Sequence, residues 1–257
     1  LVHHPLAEET GLAPAAAAEL RLAERAALAR VDGIVVTSAF TGRVLGRDYG
    51  VPAGRVVAVP PGVDRPPPAP RGRAPGPVRL LSVAALVPRK GHDLLVAALA
   101  TMADLDWTLA AVGASDRDPA LTACLLEQVA RSGLGDRIRF TGEVDDATLA
   151  AHWLSADLFV HPAHYEGYGM ALSEALRVGL PVVAAAGGAV PETVPDGAGL
   201  LVPPGDAAAL AAALRRVVAD AALRHRLTAG AAAAGAALPD WDMAARRFAA
   251  AIARLAR

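Results

Sequence analysis

Two carboxylates define the chemistry open to this chain of 257 residues. Glu166 stands in the run His164-Tyr165-Glu166-Gly167-Tyr168-Gly169-Met170-Ala171, and Glu174 follows eight positions after it. The apolar residues Leu158-Phe159-Val160 ahead of the run read as a short buried strand, and 170–178 read as a helix. Glu166 therefore precedes a helix and Glu174 lies inside it. Gly167 and Gly169 carry no Cβ, so the backbone between the glutamates can approach a ligand closely. The helix start aims unpaired N–H groups and the positive end of its dipole at the same loop. An anion held there by amides would have a carboxylate on either side of it to accept hydroxyls. A diphosphate flanked by two sugars, as in a nucleotide-sugar, fits that description.

A second polar stretch, Val87-Pro88-Arg89-Lys90-Gly91-His92-Asp93, follows a strand expected at 78–85. Ligands of open α/β sheets gather at strand carboxyl ends. A compact ammonium beside a glycine turn, just before a helix, suits a diphosphate. Gly113, in Val112-Gly113-Ala114-Ser115, closes the next strand and permits close backbone approach; Val144 follows Thr141-Gly142-Glu143 at the end of the one after. His161 and His164 precede Glu166 and could line the site. Neither has the His/Glu spacing of a zinc site, and the reading needs no metal.

These motifs, in this order, resemble the retaining GT-B glycosyltransferases, and most closely glycosyltransferase family four. The pair Glu166 and Glu174 with Glu-Gly-Tyr-Gly-Met between them looks like that family's Glu-x7-Glu element, and Lys90-Gly91 like its Lys-Gly element. The resemblance runs from His3 to the end of the chain. It implies a retaining, metal-independent transfer of a hexose-type sugar from a nucleotide-diphosphate donor to a hydroxyl acceptor, which is a glycan, a lipid-linked molecule or a small molecule. Glu166 would contact the donor sugar, Glu174 the ribose, and Lys90 the diphosphate. The backbone of Gly167, Tyr168, Gly169, Met170 and Ala171 would face sugar and diphosphate, Gly113 would lie nearby, and the loop at Val144 would contact the base. A histidine after a strand of the first domain lines the catalytic pocket in this family. His3 is the choice here, with His4 open. One departure is plain: Ala84-Ala85-Leu86 stands where the family commonly has Gly-Arg-Leu, so the usual diphosphate arginine is missing and Arg89 is the candidate to replace it. No cofactor is implied beyond the donor itself. A nucleotide-sugar-binding fragment without transferase activity is the alternative.

The elements that must position these residues alternate strand and helix, which argues for parallel sheets with helices on their faces. Strands are expected at 33–37, 55–59, 78–85, 107–112, 137–140, 158–160, 181–185 and 199–202. Helices are expected at 14–31, 39–48, 93–102, 119–131, 145–155, 170–178, 207–219 and 241–255, with Ser38 and Asp206 as caps. The fold class is α/β of GT-B type: two Rossmann-like domains, the first incomplete. Residues 1–64 form the end of the acceptor-side domain, 65–77 a proline-rich linker, 78–236 the donor-binding domain, and 237–257 a helix crossing back to the first domain. A terminal helix packed on its own domain is the other reading of that last pattern. The chain opens on Leu1-Val2 as if within a strand, so it reads as a fragment.

Composition narrows the classes. Hydrophobic residues make up 54% and charged residues 20%, a globular balance. A net charge of −1 gives no electrostatic case for nucleic acid. The single cysteine, Cys124, excludes an intrachain disulfide and reads as a small core residue. No apolar run is long enough for a transmembrane helix. A cytoplasmic location is expected; contact with the inner membrane face through an absent N-terminal part stays open. There is no Walker A run, no Gly-x-Ser-x-Gly elbow, and Leu172 stands where a dinucleotide fingerprint needs Gly or Ala.

Overall fold

The computed structural model describes residues 1–64 and 76–256. The expected proline-rich linker at 65–77 lies outside them except for Gly76 and Pro77. The first unit holds α1 (Pro14–Leu28), β1 (Ile34–Val36), α2 (Ala39–Tyr49) and β2 (Val56–Ala58). β1 and β2 pair in parallel, and Val2 adds a parallel bridge to Val36 on the other side of β1. Leu1-Val2 is thus strand-like, as its apolar character suggested. α1 ends three residues before the expected 31, because Ala29 caps it and the chain turns through Asp32 into β1.

The second unit carries a six-stranded parallel sheet. In chain order its elements are β3 (Val78–Val83), α3 (His92–Ala100), β4 (Trp107–Val112), α4 (Pro119–Arg131), β5 (Ile138–Gly142), α5 (Asp146–Ser155), β6 (Leu158–His161), α6 (Met170–Arg177), β7 (Val182–Ala185), α7 (Val190–Thr193) and β8 (Gly199–Val202). The helices α8 (Ala207–Ala219), α9 (Ala221–Ala237) and α10 (Trp241–Leu255) complete the chain. Strand order is β5-β4-β3-β6-β7-β8. The chain winds outward from β3 to β5, then returns to β6 beside β3 and winds the other way. The switch point therefore lies between β3 and β6, where an open α/β sheet leaves a crevice at its carboxyl edge.

The strands read as continuous apolar runs because both sheet faces are covered. On one face Leu80, Trp107 and Leu109 pack with Leu95 and Leu99 of α3, Leu125 of α4 and Leu214 of α8. On the other, Leu81, Phe159 and Val182 pack with Trp153 of α5, Leu172 and Leu176 of α6 and Ala231 of α9. α9 approaches α6 so closely that a Cβ at Gly235 would strike the Leu176 carbonyl, which explains a glycine in an alanine-rich helix. Aspartates 118, 145, 206, 220 and 240 cap α4, α5, α8, α9 and α10 by accepting a backbone N–H three residues on. Cys124 is exposed and not in the core, since the sheet-facing positions of α4 are Leu125 and Val129.

The terminal helix crosses over. Phe248, Ala251 and Leu255 of α10 pack on Val35 and Val59 of the first unit. At the crossing, the Val63 N–H donates to the Pro239 carbonyl at 3.0 Å. Arg177, at the end of α6, donates to the carbonyls of Val63, Leu238 and Pro239 at 3.2, 3.0 and 3.1 Å. One guanidinium thus ties both crossing segments to the second unit.

Phe159 is fully buried, its ring centroid 5.1 Å from that of Trp153. Phe159→Ala should cost about 3–5 kcal/mol of stability through lost burial and a residual cavity. Leu126→Ala on the exposed side of α4 should stay within about 0.5 kcal/mol. Urea unfolding monitored by circular dichroism measures both.

Candidate functional site

The carboxyl ends of β3 and β6 bring Lys90 and Glu166 together. After β3 the chain makes a single 3-10 turn through Pro88, Arg89 and Lys90, and Gly91 in the left-handed region starts α3. After β6 it runs through Pro162 to Glu166, whose carbonyl accepts the Ala189 N–H at 2.8 Å and which forms a parallel bridge with Gly188. The Lys90 ammonium donates to Glu166 Oε1. His161 Nε2 lies 2.8 Å from the same oxygen. Glu166 Oε2 lies 3.7 Å from the Arg89 guanidinium. Burial alone would raise the Glu166 pKa. The His161 hydrogen bond, with the positive charge of Lys90, outweighs it and holds the carboxyl at about 2.

Arg89 is committed elsewhere. It pairs with Glu9 of the first unit at 2.9 Å and donates to the Tyr165 carbonyl at 2.8 Å. Its guanidinium thus lies behind the Glu166 loop, tying it to the N-terminal segment. His4 extends this cluster, 3.5 Å from Glu9 and with its ring 6.2 Å from that of Tyr165. The His3 side chain is exposed, whereas its backbone is built into the seam: its carbonyl accepts from Thr37 Oγ1 at 3.2 Å.

Gly167 is the tightest point of that seam. Its carbonyl accepts from Ser38 Oγ at 2.6 Å and Thr41 Oγ1 at 3.2 Å, both at the start of α2. Ser38 also caps α2 through the Thr41 N–H at 3.0 Å, so one hydroxyl serves helix and seam. A Cβ on Gly167 would run into the His3 carbonyl and the His4 side chain. Glu192 of α7 adds a further link, accepting the Phe40 N–H at 2.9 Å and Arg43 at 2.6 Å.

Gly169 takes φ +89° and serves as N-cap of α6 without a side-chain partner, so the amides at Met170 and Ala171 open the helix uncapped. The Tyr168 carbonyl is held by Thr193 Oγ1 at 2.8 Å. Two cavities lie along the carboxyl edge of the sheet, and one of them reaches this helix start. One, of about 390 Å³, includes Ala84, Ala85, Gly113 and Val144 at the carboxyl ends of β3 to β5, with Arg117 at its edge. The other, of about 380 Å³, includes Met170, Glu174, Trp153, Asp64 and Trp241. Leu149 lines both, so they adjoin. Glu174 is half-buried, and burial with the nearby Asp64 charge raises its pKa. The structure thus gathers Lys90, Arg89, Glu166 and the 167–171 backbone at one point, and places Gly113, Val144 and Glu174 along the adjoining cavities. Among the described residues no group of three His, Cys, Asp or Glu side chains is arranged to hold a metal ion. No helix among them is long and apolar enough to cross a membrane.

Sequence reasoning did not find Glu9, Thr41, Asp64 or Arg177 in these roles. Ser38 was legible only as a cap, since its partner lies 129 residues away.

The family model described as glycosyl transferases group 1 matches residues 68–233, and that of Glycosyltransferase Family 4 matches residues 2–65. The chain belongs to the group 1 glycosyl transferases. It is 38% identical over 227 residues to a D-inositol 3-phosphate glycosyltransferase of Geodermatophilus obscurus, covering 82% of this chain and 50% of that protein. Sucrose-phosphate synthase from Thermosynechococcus elongatus superposes with a TM-score of 0.80 at 31% identity, over 93% of this chain and 62% of that one. An Anabaena protein, HepE, in complex with UDP and glucose gives a TM-score of 0.80 at 23% identity over 92% of this chain and 67% of that one. The two parallel sheets match the GT-B architecture of such glycosyltransferases. The chain spans about half the length of the curated relatives it matches.

Two consequences can be measured. Gly167→Ala should destabilise the seam by about 1–3 kcal/mol, read as a lower thermal midpoint. His92, fully buried at the start of α3, is held down to about 4 by burial, with the charge of Lys90 adding. The unfolded imidazole titrates near 6.5. Between those values the unfolded chain binds a proton that the folded chain refuses, so stability falls as pH falls from 6.5 to 4. His92→Leu should remove that share, about 3 kcal/mol at full extent. Urea midpoints at pH 4.5 and 7 should then lie closer together than in the unsubstituted chain.

Proposed function

We propose that this chain carries the donor site of a retaining, metal-independent glycosyltransferase that moves a sugar from a nucleotide-diphosphate donor to a hydroxyl acceptor. The observation that carries the reading is the convergence of Lys90, Glu166 and the uncapped start of α6 at the switch point of the sheet. A diphosphate at the helix start meets amides and the helix dipole. Lys90, with three donors on one ammonium, turns from Glu166 to the phosphate oxygens and stabilises the charge that develops as the sugar–phosphate bond breaks. Glu166, released on that side, accepts hydroxyls of the transferred sugar. Glu174 accepts hydroxyls of the ribose, and the cavity at Gly113 and Val144 takes the base, read largely by backbone.

Ala85, just after β3, supplies the diphosphate with no second cation, and Arg89 is already paired with Glu9. In this reading Arg89 supports the diphosphate from behind through Glu166 and Tyr165. Residues 1–64 form part of the acceptor side, with His3 on the loop that meets Gly167. The likeness to a D-inositol 3-phosphate glycosyltransferase supports a polar hydroxyl acceptor. The bound UDP of HepE supports a nucleoside diphosphate in the cleft.

Calorimetric titration of the chain with UDP, GDP and ADP tests this. One nucleotide should bind, and Glu174→Ala should weaken it by about tenfold or more. Absence of binding by all three to a folded chain overturns the donor-site reading. Equal binding by Glu174→Ala overturns the ribose assignment.

A further inference from the structure

His161 is the last residue of a strand whose other members, Leu158, Phe159 and Val160, are apolar and fully buried. An apolar side chain at 161 would complete that strand. The imidazole is instead buried at 2% exposure, stacked on Phe159 with ring centroids 5.9 Å apart, and its Nδ1 finds no hydrogen-bond partner. A buried polar ring with an orphaned nitrogen costs stability, so its compensation must come from the other nitrogen. That nitrogen, Nε2, meets Glu166 Oε1. Among the described residues Oε1 therefore takes two donors, Lys90 and His161, while Oε2 faces only the more distant Arg89.

We infer that His161 is a positioning residue: it holds Glu166 Oε1 when Lys90 turns to the diphosphate, so that the carboxylate does not rotate away from the donor sugar. The inference rests on the donor-site reading above. Without a second donor, loss of the lysine contact would free the carboxylate to rotate and leave a buried charge half-compensated. The imidazole is carried by the strand and not by the loop. The groups that face this carboxylate are Lys90 and Arg89 from the turn after β3 and His161 from β6. His92 lies next to His161 at the start of α3, and Glu9 lies behind Arg89.

The test separates sugar from nucleotide. UDP, GDP, ADP, UDP-glucose, GDP-mannose and ADP-glucose are titrated into the unsubstituted chain, His161→Leu, His161→Gln, Glu166→Ala and the double variant His161→Leu/Glu166→Ala. His161→Leu should weaken the nucleotide-sugar by about tenfold and leave the nucleoside diphosphate within about twofold. His161→Gln, whose amide N–H can stand where Nε2–H stands, should recover most of that loss. In the Glu166→Ala background, His161→Leu should cost nothing further, because the two residues act as one unit. An unchanged ratio of the two affinities in His161→Leu, or full additivity with Glu166→Ala, overturns the inference. If no nucleotide binds the unsubstituted chain, the donor-site reading fails, and the imidazole 15N spectrum decides the contact itself. An Nε2–H tautomer that is lost on Glu166→Ala sustains it, and an Nδ1–H tautomer in the unsubstituted chain overturns it.

Discussion

A carboxylate buried at a sheet edge must be compensated, and that requirement organises the centre of this molecule. Glu166 is 7% exposed, and desolvation alone would favour its neutral form. It stays charged because two cationic or hydrogen-bonding groups converge on one of its oxygens from two different strands. Convergence of that kind needs a switch point. Only where β3 and β6 lie side by side, with their following loops diverging, can the turn carrying Lys90 and the strand end carrying His161 reach one atom. The doubly wound order of the sheet and the ionisation of the glutamate are thus one arrangement seen at two scales.

The same loop also joins the two units. Gly167, next to Glu166, offers its carbonyl to Ser38 and Thr41, and Arg89 spans from Glu166 to Glu9. On the far side Arg177 binds both segments where the chain crosses, and α10 packs on the first unit's sheet. A small two-stranded sheet of three residues per strand could not hold itself together. One of its faces packs on α2 within the first unit, and the other is covered by a helix contributed by the opposite end of the chain. Substitutions at this seam therefore act on stability and on the geometry of the Glu166 loop together.

Ala84 and Ala85 leave the chain open just after β3, where their two methyl groups form part of a cavity with Gly113 and Val144. The positive charge near Glu166 comes from the turn that follows, through Lys90 and the partly committed Arg89.

Much of this was legible in the chain itself. Apolar runs bounded by turns marked the strands, because both faces of a parallel sheet are buried. Aspartate and serine caps, proline at helix starts and glycine at helix ends set the helix limits, because these act within four residues of themselves. Glu166, Gly169 and Glu174 could be read as a site because a helix start, a glycine turn and two carboxylates are local in sequence. What required the tertiary structure was which groups meet: Lys90 together with His161 on one oxygen of Glu166, Ser38 and Thr41 on the Gly167 carbonyl, Arg177 on the crossing segments, the Asp64 charge near Glu174. The exposure of Cys124 belongs with them, since which side of α4 meets the sheet depends on the neighbouring strands. Local pattern determines which element a residue occupies and which way the chain turns. Only the packed fold decides which distant groups share a buried charge, because that depends on strand order, and strand order leaves no mark in any short stretch of sequence.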